Sequence, residues 1–267
     1  MKKILTVVLF FAGMVDAASY SRAGSDPNWS TLAGWRDNST GSWAASTIPP
    51  GSSDTVTLNN GLTLSLDVDT AVSSITLVNN ATDATFYMTN NNSLTLSAFT
   101  QGNGTLDGNS IVTQLNGSLL TATMVIGNVN DGSHTYNQLG GTVSASTLLR
   151  LDAGNATAEA CVYNLSSGSF TTGIFQNQDT DGNSFFNFTV GSDGTFTVTQ
   201  DGYNFAAFID AGQIRQGGLL VASTDDSWLI NNSVSGQTTL SVVPEPATLG
   251  MVGLGGLITL LVRRQGR

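Results

Sequence analysis

Polar and apolar residues alternate along most of the chain in short runs. These runs include DTVTLNNGLTLSLDV, SSITLV, ATFYMT, NSLTLSAF, GTVSAST, GSFTTGIF and GTFTVT, which are rich in β-branched and aromatic residues and are bounded by Gly, Asn and Asp. Alternation with a period of two buries one face of a strand and leaves the other in water. The period of an amphipathic helix is almost absent. The pattern therefore predicts an all-β fold.

A weak internal repeat indicates how the strands are arranged. The segment YNQLGGTV begins at Tyr136 and the related segment YNLSSGSF at Tyr163, and Gly168-Ser169-Phe170 recurs as Gly194-Thr195-Phe196 at nearly the same spacing. A repeat of this length predicts a parallel β-helix, or β-solenoid, whose coils bury their inner faces against each other. The two tyrosines, and Val143 with Phe170, should then point inward and stack at about 4.8 Å. An antiparallel β-sandwich is the alternative.

The N-terminal segment has the order of a secretory signal peptide. Two lysines precede the apolar residues 4–15, and Ala17 and Ala18 follow as small residues at a cleavage site. We therefore predict that residues 1–18 are a signal peptide with a short helix. A retained N-terminal anchor is the alternative.

The C-terminal segment combines three features in sequence. Pro244, Glu245 and Pro246 precede the apolar run 247–262, which contains four glycines. A membrane helix needs about 20 apolar residues, so this shorter run is a marginal span. Basic residues follow it and should stop transfer and stay on the cytoplasmic side. These residues are Arg263, Arg264 and Arg267.

This combination resembles the PEP-CTERM sorting signal of Gram-negative bacteria that make exopolysaccharide. The resemblance divides the chain into a signal peptide (1–18), an exported body (19–242) and a sorting signal (243–267) with a membrane helix at 247–262. In that family the tail is read by exosortase, a membrane-embedded protease-like enzyme. The resemblance thus implies transient anchoring in the inner membrane, followed by release to the cell surface or beyond. A permanent membrane anchor is the alternative.

The charge of the chain restricts its partners. The formal net charge is −10 at pH 7, and the body contains no lysine. Its cations are four scattered arginines, Arg22, Arg36, Arg150 and Arg215. Binding to nucleic acid requires several cations that displace phosphate counterions, so we expect no such partner. An acidic surface rich in Asn, Thr, Ser and Gly suits a hydrated envelope protein with a structural or adhesive role, and extracellular polysaccharide is its candidate ligand.

Residue types that carry catalysis are scarce. His134 is the only histidine and is expected in a polar turn, and Cys161, the only cysteine, alternates with apolar neighbours as a buried residue would. No Gly-x-Ser-x-Gly is present, and most aspartates lie in turn contexts, five of them directly before a glycine. We therefore predict no catalytic residue, cofactor or metal site. The alternative is a carbohydrate-binding or carbohydrate-active β-helix protein, because a glycosidase needs only two carboxylates.

One turn resembles half of a calcium-binding loop. Residues Asn177, Asp179 and Asp181 offer oxygen ligands at alternate positions before Gly182, as at the start of an EF-hand. The twelfth position, which should supply a bidentate glutamate, is Phe188. The sequence supports at most a weak calcium site here, and a solvated turn is the simpler interpretation.

Three tryptophans near the start of the body, Trp29, Trp35 and Trp43, precede Pro49-Pro50-Gly51. This opening resembles the first coil of autotransporter-like repeat passengers, where a segment closes the solenoid's open end. A cap is also expected on physical grounds, because an open end exposes unpaired backbone and apolar surface. A platform on which sugars stack is the alternative interpretation.

Ice binding is a further alternative, because the same kind of tail is also labelled an ice-binding protein C-terminal domain. That function would require a flat array of threonines on one face of the solenoid. The Thr-x-Thr pattern at Thr195–Thr199 supplies a single rung of such an array.

Overall fold

A computed structural model describes residues 17–22, 26–38, 48–59, 61–78, 84–103, 108–129, 132–152, 160–179 and 181–243. Nearly all of the predicted signal peptide 1–18, and the predicted membrane helix 247–262, lie outside the described residues. Within the ranges above, no helix combines the length and apolar character required to cross a membrane.

The described chain is built from short strands. They are β1 (Ser19–Arg22), β2 (Trp35–Asp37), β3 (Thr55–Leu58), β4 (Thr63–Leu66), β5 (Thr70–Ala71), β6 (Ser74–Leu77), β7 (Ala84–Met88), β8 (Ser93–Thr95), β9 (Ala98–Asn103), β10 (Ser110–Gln114), β11 (Ser118–Val129), β12 (Ser133–Gln138), β13 (Thr142–Leu151), β14 (Ala160–Leu165), β15 (Ser169–Thr172), β16 (Phe175–Asn177), β17 (Phe185–Phe188), β18 (Thr195–Val198), β19 (Ile214–Gln216), β20 (Trp228–Asn231) and β21 (Thr238–Val242). A 3-10 turn (Leu32–Gly34) and one short helix, α1 (Phe205–Asp210), complete the described elements.

These strands form two sheets that the chain visits in alternation. The larger sheet has the order β2-β1-β3-β6-β9-β11-β13-β15-β18-β21-β20, with β5, β8 and β16 paired beside this path. The smaller sheet has the order β19-β17-β14-β12-β10-β7-β4. Among the described strands, pairing is antiparallel only for β1–β2, β18–β21 and β20–β21, and parallel elsewhere. The body is therefore a parallel β-solenoid with antiparallel strands at each end.

The register of the coils confirms the repeat predicted from the sequence. Tyr136 pairs with Tyr163, and both rings are buried and stacked with centroids 4.9 Å apart and planes 6° apart. In the larger sheet Val143 pairs in parallel with Phe170, which pairs with Phe196. The sandwich alternative is therefore wrong, because these residues share one sheet and stack as successive rungs.

Aromatic rings fill the interior of the later coils. Phe186 stacks on Tyr163 at 4.8 Å and on Phe196 at 4.3 Å between ring centroids, and all three side chains are fully buried. An aromatic pair of this kind contributes about 0.5–1.5 kcal/mol beyond the area that it buries. The stack therefore links both sheets into one continuous core.

A buried ladder of polar groups runs beside the tyrosines. The Gln114 and Gln138 side chains are fully buried, and their Oε1 atoms accept hydrogen bonds from the hydroxyls of Tyr136 (2.7 Å) and Tyr163 (2.6 Å). Their Nε2 groups donate to backbone carbonyls on two adjacent coils. Burial raises the pKa of both phenols above the ordinary range. This ladder ties each coil to the next where the strands turn.

The N-terminal segment covers the first coil, as the capping hypothesis predicted. Trp29 and Trp35 are buried and pack edge-to-face with ring centroids 5.0 Å apart, and the Arg22 guanidinium lies 5.0 Å from the Trp35 ring. The Trp29 backbone N–H donates to Ser65 O on the edge strand of the smaller sheet (2.8 Å), while β1 pairs with β3 of the larger sheet. For these two tryptophans the sugar-platform interpretation is wrong, because neither ring is accessible. Trp43 lies outside the described residues.

Candidate functional site

The predicted sorting residues Pro244, Glu245 and Pro246 lie outside the described residues, as do Arg263, Arg264 and Arg267. The structure does show where the segment that carries these residues leaves the folded body. Strand β21 ends at Val242, and the next N–H, that of Val243, donates to Ser227 O at 2.8 Å. The motif therefore begins directly where the last sheet hydrogen bond ends.

His134 does not lie in a polar turn, so that expectation was wrong. It is the second residue of β12, in phase with the inward residue Tyr136, and its side chain is buried. Its Nδ1 lies 3.0 Å from Ser110 Oγ on the preceding coil. Burial lowers the pKa of His134 to about 4. A neutral, enclosed imidazole of this kind serves the packing of adjacent coils.

Cys161 occupies the next rung of the same column, paired with His134 in the register of β12 and β14. Its side chain is fully buried, as predicted, and its backbone N–H donates to Ser184 Oγ at 3.0 Å. Reactive thiols are partly exposed and lie in electropositive surroundings. The position of Cys161 is that of a small apolar core residue.

The four body arginines lie on separate elements. Arg22 belongs to the N-terminal cap, Arg36 donates to Trp35 O, and Arg150 Nε donates to Gln176 Oε1 at 3.2 Å. Arg215 covers the Phe185 ring, with its guanidinium carbon 4.0 Å from the ring centroid. In the described part of the chain, no three His, Cys, Asp or Glu side chains are grouped to hold a metal ion.

The loop that resembled half of a calcium site is a hydrogen-bonded turn. Asn177 Oδ1 accepts from the Asp179 N–H at 3.0 Å, and the Asp179 carboxylate accepts from the N–H groups of Asp181 (2.8 Å) and Ser184 (2.6 Å). Asn and Asp commonly fold back on their own backbone in this way. The oxygen atoms proposed as ligands thus serve first to fix the turn.

One outer face of the larger sheet is covered by hydroxyl groups. Six strands form this face: β8, the first parts of β11 and β13, β15, β18 and β21. On each strand a buried apolar residue lies between two outward residues, and the outward residues of neighbouring strands are in register. Of these twelve outward positions eleven are Ser or Thr, and the twelfth is Leu120. We call this surface the hydroxyl face; its residues are Ser93, Thr95, Ser118, Leu120, Thr142, Ser144, Ser169, Thr171, Thr195, Thr197, Thr239 and Ser241.

The outer side of the smaller sheet has a different composition. Asn164 Nδ2 donates to Asn137 Oδ1 at 2.9 Å, Asn187 Nδ2 donates to Asn164 Oδ1 at 2.8 Å, and the Gly218 N–H closes the ladder on Asn187 Oδ1 at 2.8 Å. The adjacent outward column carries Val162 and Phe185 in register. We call this surface the amide face, defined by Asn137, Asn164, Asn187, Val162 and Phe185.

The segment that follows these coils is similar to a known sorting motif. Residues 242–265 match the PEP-CTERM protein-sorting motif. Comparison with curated proteins and with solved structures finds no significant match for the chain. The motif indicates processing by exosortase, a membrane enzyme, and sorting through the membrane to the cell surface or extracellular space. The chain therefore carries a PEP-CTERM sorting motif, which follows a parallel β-solenoid body.

Proposed function

We propose that this protein is a non-catalytic component of the cell envelope or extracellular matrix whose solenoid adheres to polysaccharide. The observation that carries this proposal is the amide face. Asn164 uses one N–H and one acceptor position within the ladder, so it retains a donor and an acceptor for a ligand. Val162 beside it offers apolar contact of the kind that sugar rings use, whereas one side of the Phe185 ring is covered by Arg215.

The absence of catalysis is part of the proposal. Support comes from the burial of the single histidine and the single cysteine, and from the distribution of the four arginines over the N-terminal cap, β13 and β19. Acid–base chemistry requires titratable groups that converge in a cleft with shifted pKa values. His134 has a shifted pKa, but its imidazole is enclosed in the core.

Binding and turnover can be measured together on a panel of neutral and anionic polysaccharides. We expect the exported body, residues 19–243, to be retained by at least one polysaccharide without releasing reducing ends or unsaturated products. Asn164→Ala should weaken retention, whereas the matched control Thr171→Ala, on the hydroxyl face, should not. Release of sugar products would contradict the non-catalytic proposal, and equal loss in both variants would contradict the assignment to the amide face.

A second candidate function, ice binding, is favoured by the hydroxyl face. The sequence showed one Thr-x-Thr rung, whereas the structure aligns six strands with Ser or Thr at nearly every outward position. Neighbouring strands lie about 4.8 Å apart. Tetrahedral water with hydrogen bonds of about 2.75 Å places second neighbours about 4.5 Å apart, which is close to this spacing. The twelve positions of the face also include no charged residue.

Inhibition of ice recrystallisation tests this second candidate. The exported body should slow the growth of ice grains, and Thr171→Tyr, which raises a ring above the array, should abolish that effect. Val162→Tyr, on the amide face, is the control and should leave it unchanged. If the unmodified body has no effect on grain growth, ice binding is rejected and the adhesive proposal is unaffected.

A further inference from the structure

The folded body ends very close to the sorting motif. Val242 pairs with Trp228 in β20, and Val243 is held by its N–H bond to Ser227 O. Pro244 follows immediately, and three extended residues reach at most about 11 Å. An enzyme that takes up Pro244–Pro246 must therefore come within contact distance of the body's surface around Val243.

That surface is apolar and exposed. Val190, Leu219 and Val243 are 87, 70 and 39 % exposed. We call these three residues the exit patch. Val190, Leu219 and Val243 line one cleft of about 620 Å³, and Asp225 is the only ionisable residue among the described residues that line it. Exposed apolar side chains gathered at a cleft are typical of a surface that contacts a partner.

The local backbone holds the exit patch in place. Gly217 and Gly218 both have positive φ, 59° and 77°, in a tight turn closed by hydrogen bonds between Gln216 and Leu219. Positive φ at both central positions is the geometry that glycine permits in such turns. The Gly217 N–H also donates to Phe188 O at 2.7 Å, which fixes the turn to β17. Leu219 is thus presented on a rigid turn.

We propose that the exit patch docks on exosortase while that enzyme engages Pro244, Glu245 and Pro246. The short distance from Val243 brings the patch against the enzyme, and the nearly uncharged cleft suits an apolar surface of a membrane-embedded protein. The body then contributes to recognition beyond the motif. This inference rests on exosortase processing of the chain and is independent of the proposed adhesion to polysaccharide.

Processing of the full-length chain in its host tests the docking surface. In a pulse-chase experiment, Leu219→Asp should slow processing about tenfold, as expected for the loss of one buried leucine contact. Leu32→Asp is the matched control, because Leu32 is an exposed leucine (39 %) in the 3-10 turn of the N-terminal cap, at the opposite end of the solenoid from β21. The control should be processed at the unmodified rate, and thermal unfolding should show that both variants fold. Equal processing rates in the patch and control variants would overturn the proposal.

Cross-linking identifies what the exit patch touches. The only native cysteine, Cys161, is buried, so a thiol-reactive photocross-linker will label Leu219→Cys selectively. The labelled full-length chain should cross-link to exosortase, and labelled Leu32→Cys, at the opposite end of the solenoid, should not. Cross-links from position 219 only to lipid, or only to the chain's own residues 247–262, would overturn the proposal. Failure of exosortase processing itself is distinguishable, because Glu245→Ala would then leave processing unchanged as well.

Discussion

The hydroxyl of Tyr163 donates a 2.6 Å hydrogen bond to Gln138 Oε1, and both side chains are fully buried. Gln138 Nε2 in turn donates to Gly141 O and Ser169 O, each at 3.1 Å. One amide therefore satisfies three polar groups on two coils. Because buried polar groups without partners are destabilising, this amide is a structural requirement of the solenoid.

Gln138→Leu should lower the free energy of unfolding by about 2 kcal/mol or more, since each buried group left unsatisfied costs about 1–3 kcal/mol. Urea unfolding followed by circular dichroism measures the change. Tyr163→Phe completes a double-mutant cycle, and we expect the double variant to be less destabilised than the sum of the two single variants. Strict additivity would show that the two side chains do not interact.

Acid should weaken the solenoid through His134. Burial lowers the pKa of His134 from 6.5 to about 4, so between these values the unfolded chain binds a proton that the folded chain does not. The contribution of neutral His134 to the free energy of unfolding is thus complete above pH 6.5. It falls by about 3 kcal/mol in total as the pH is lowered toward 4. Unfolding measured from pH 7 to pH 4 should show this decline, and His134→Gln should lack most of it. If the free energy of unfolding of that variant falls with pH as steeply as that of the unmodified protein, His134 is not the source of the decline.

Gly168 and Gly191 have similar backbone geometry but different surroundings. Substituting each of them therefore distinguishes the cost of backbone strain from the cost of a steric overlap. Gly168 has φ of 86°, and a Cβ there would overlap Gly141 O on the preceding coil. Gly191 has φ of 72°, with nothing within 4 Å of its Cβ position. Gly191→Ala should therefore cost about 1–2 kcal/mol, the penalty of the left-handed conformation. Gly168→Ala should cost clearly more, because the adjacent coil must move. Comparable melting temperatures for the two variants would contradict the close approach.

The solenoid could be predicted because its inward residues repeat with the same spacing as its coils. Tyr136 and Tyr163 occupy equivalent places in the sequence repeat and pair directly in the structure. His134 could have been placed correctly by the same reasoning, because His134, Tyr136 and Gln138 alternate along one strand and all point inward. The preceding Asp-Gly suggested a turn instead, and the phase of the strand was the better signal.

The hydroxyl and amide faces could not be predicted from the sequence. Their rows depend on which residues stack between coils, and the length of a coil varies. Thr63 pairs with Thr85 in an early coil, whereas Phe186 pairs with Ile214 in a longer, later one. Loops of different length hide this register, so Ser and Thr positions that align in space have no fixed period in the chain. The exit patch is likewise formed by turns that are distant in sequence.

Residues 243–267 have the sequence of a transient sorting segment. Pro244 and Pro246 lack N–H donors and disfavour helix before them, so the backbone around Glu245 should remain extended after β21 ends. The apolar run 247–262 is short for a span, and the arginines after it set its orientation. These properties suit a segment that holds the protein at the membrane until an enzyme acts.

Mass spectrometry of the mature protein from its host decides between processing and permanent anchoring. We expect a C-terminus near Pro244–Pro246 and release of the body from the membrane fraction. Glu245→Ala, with the apolar run intact, should leave the full-length chain in the membrane, whereas Gln265→Ala, beyond the run, should be processed normally. A mature C-terminus still at Arg267 would establish a permanent anchor. In that case the body would remain tethered with its exit patch at the membrane surface, because only Pro244, Glu245 and Pro246 separate Val243 from the apolar run.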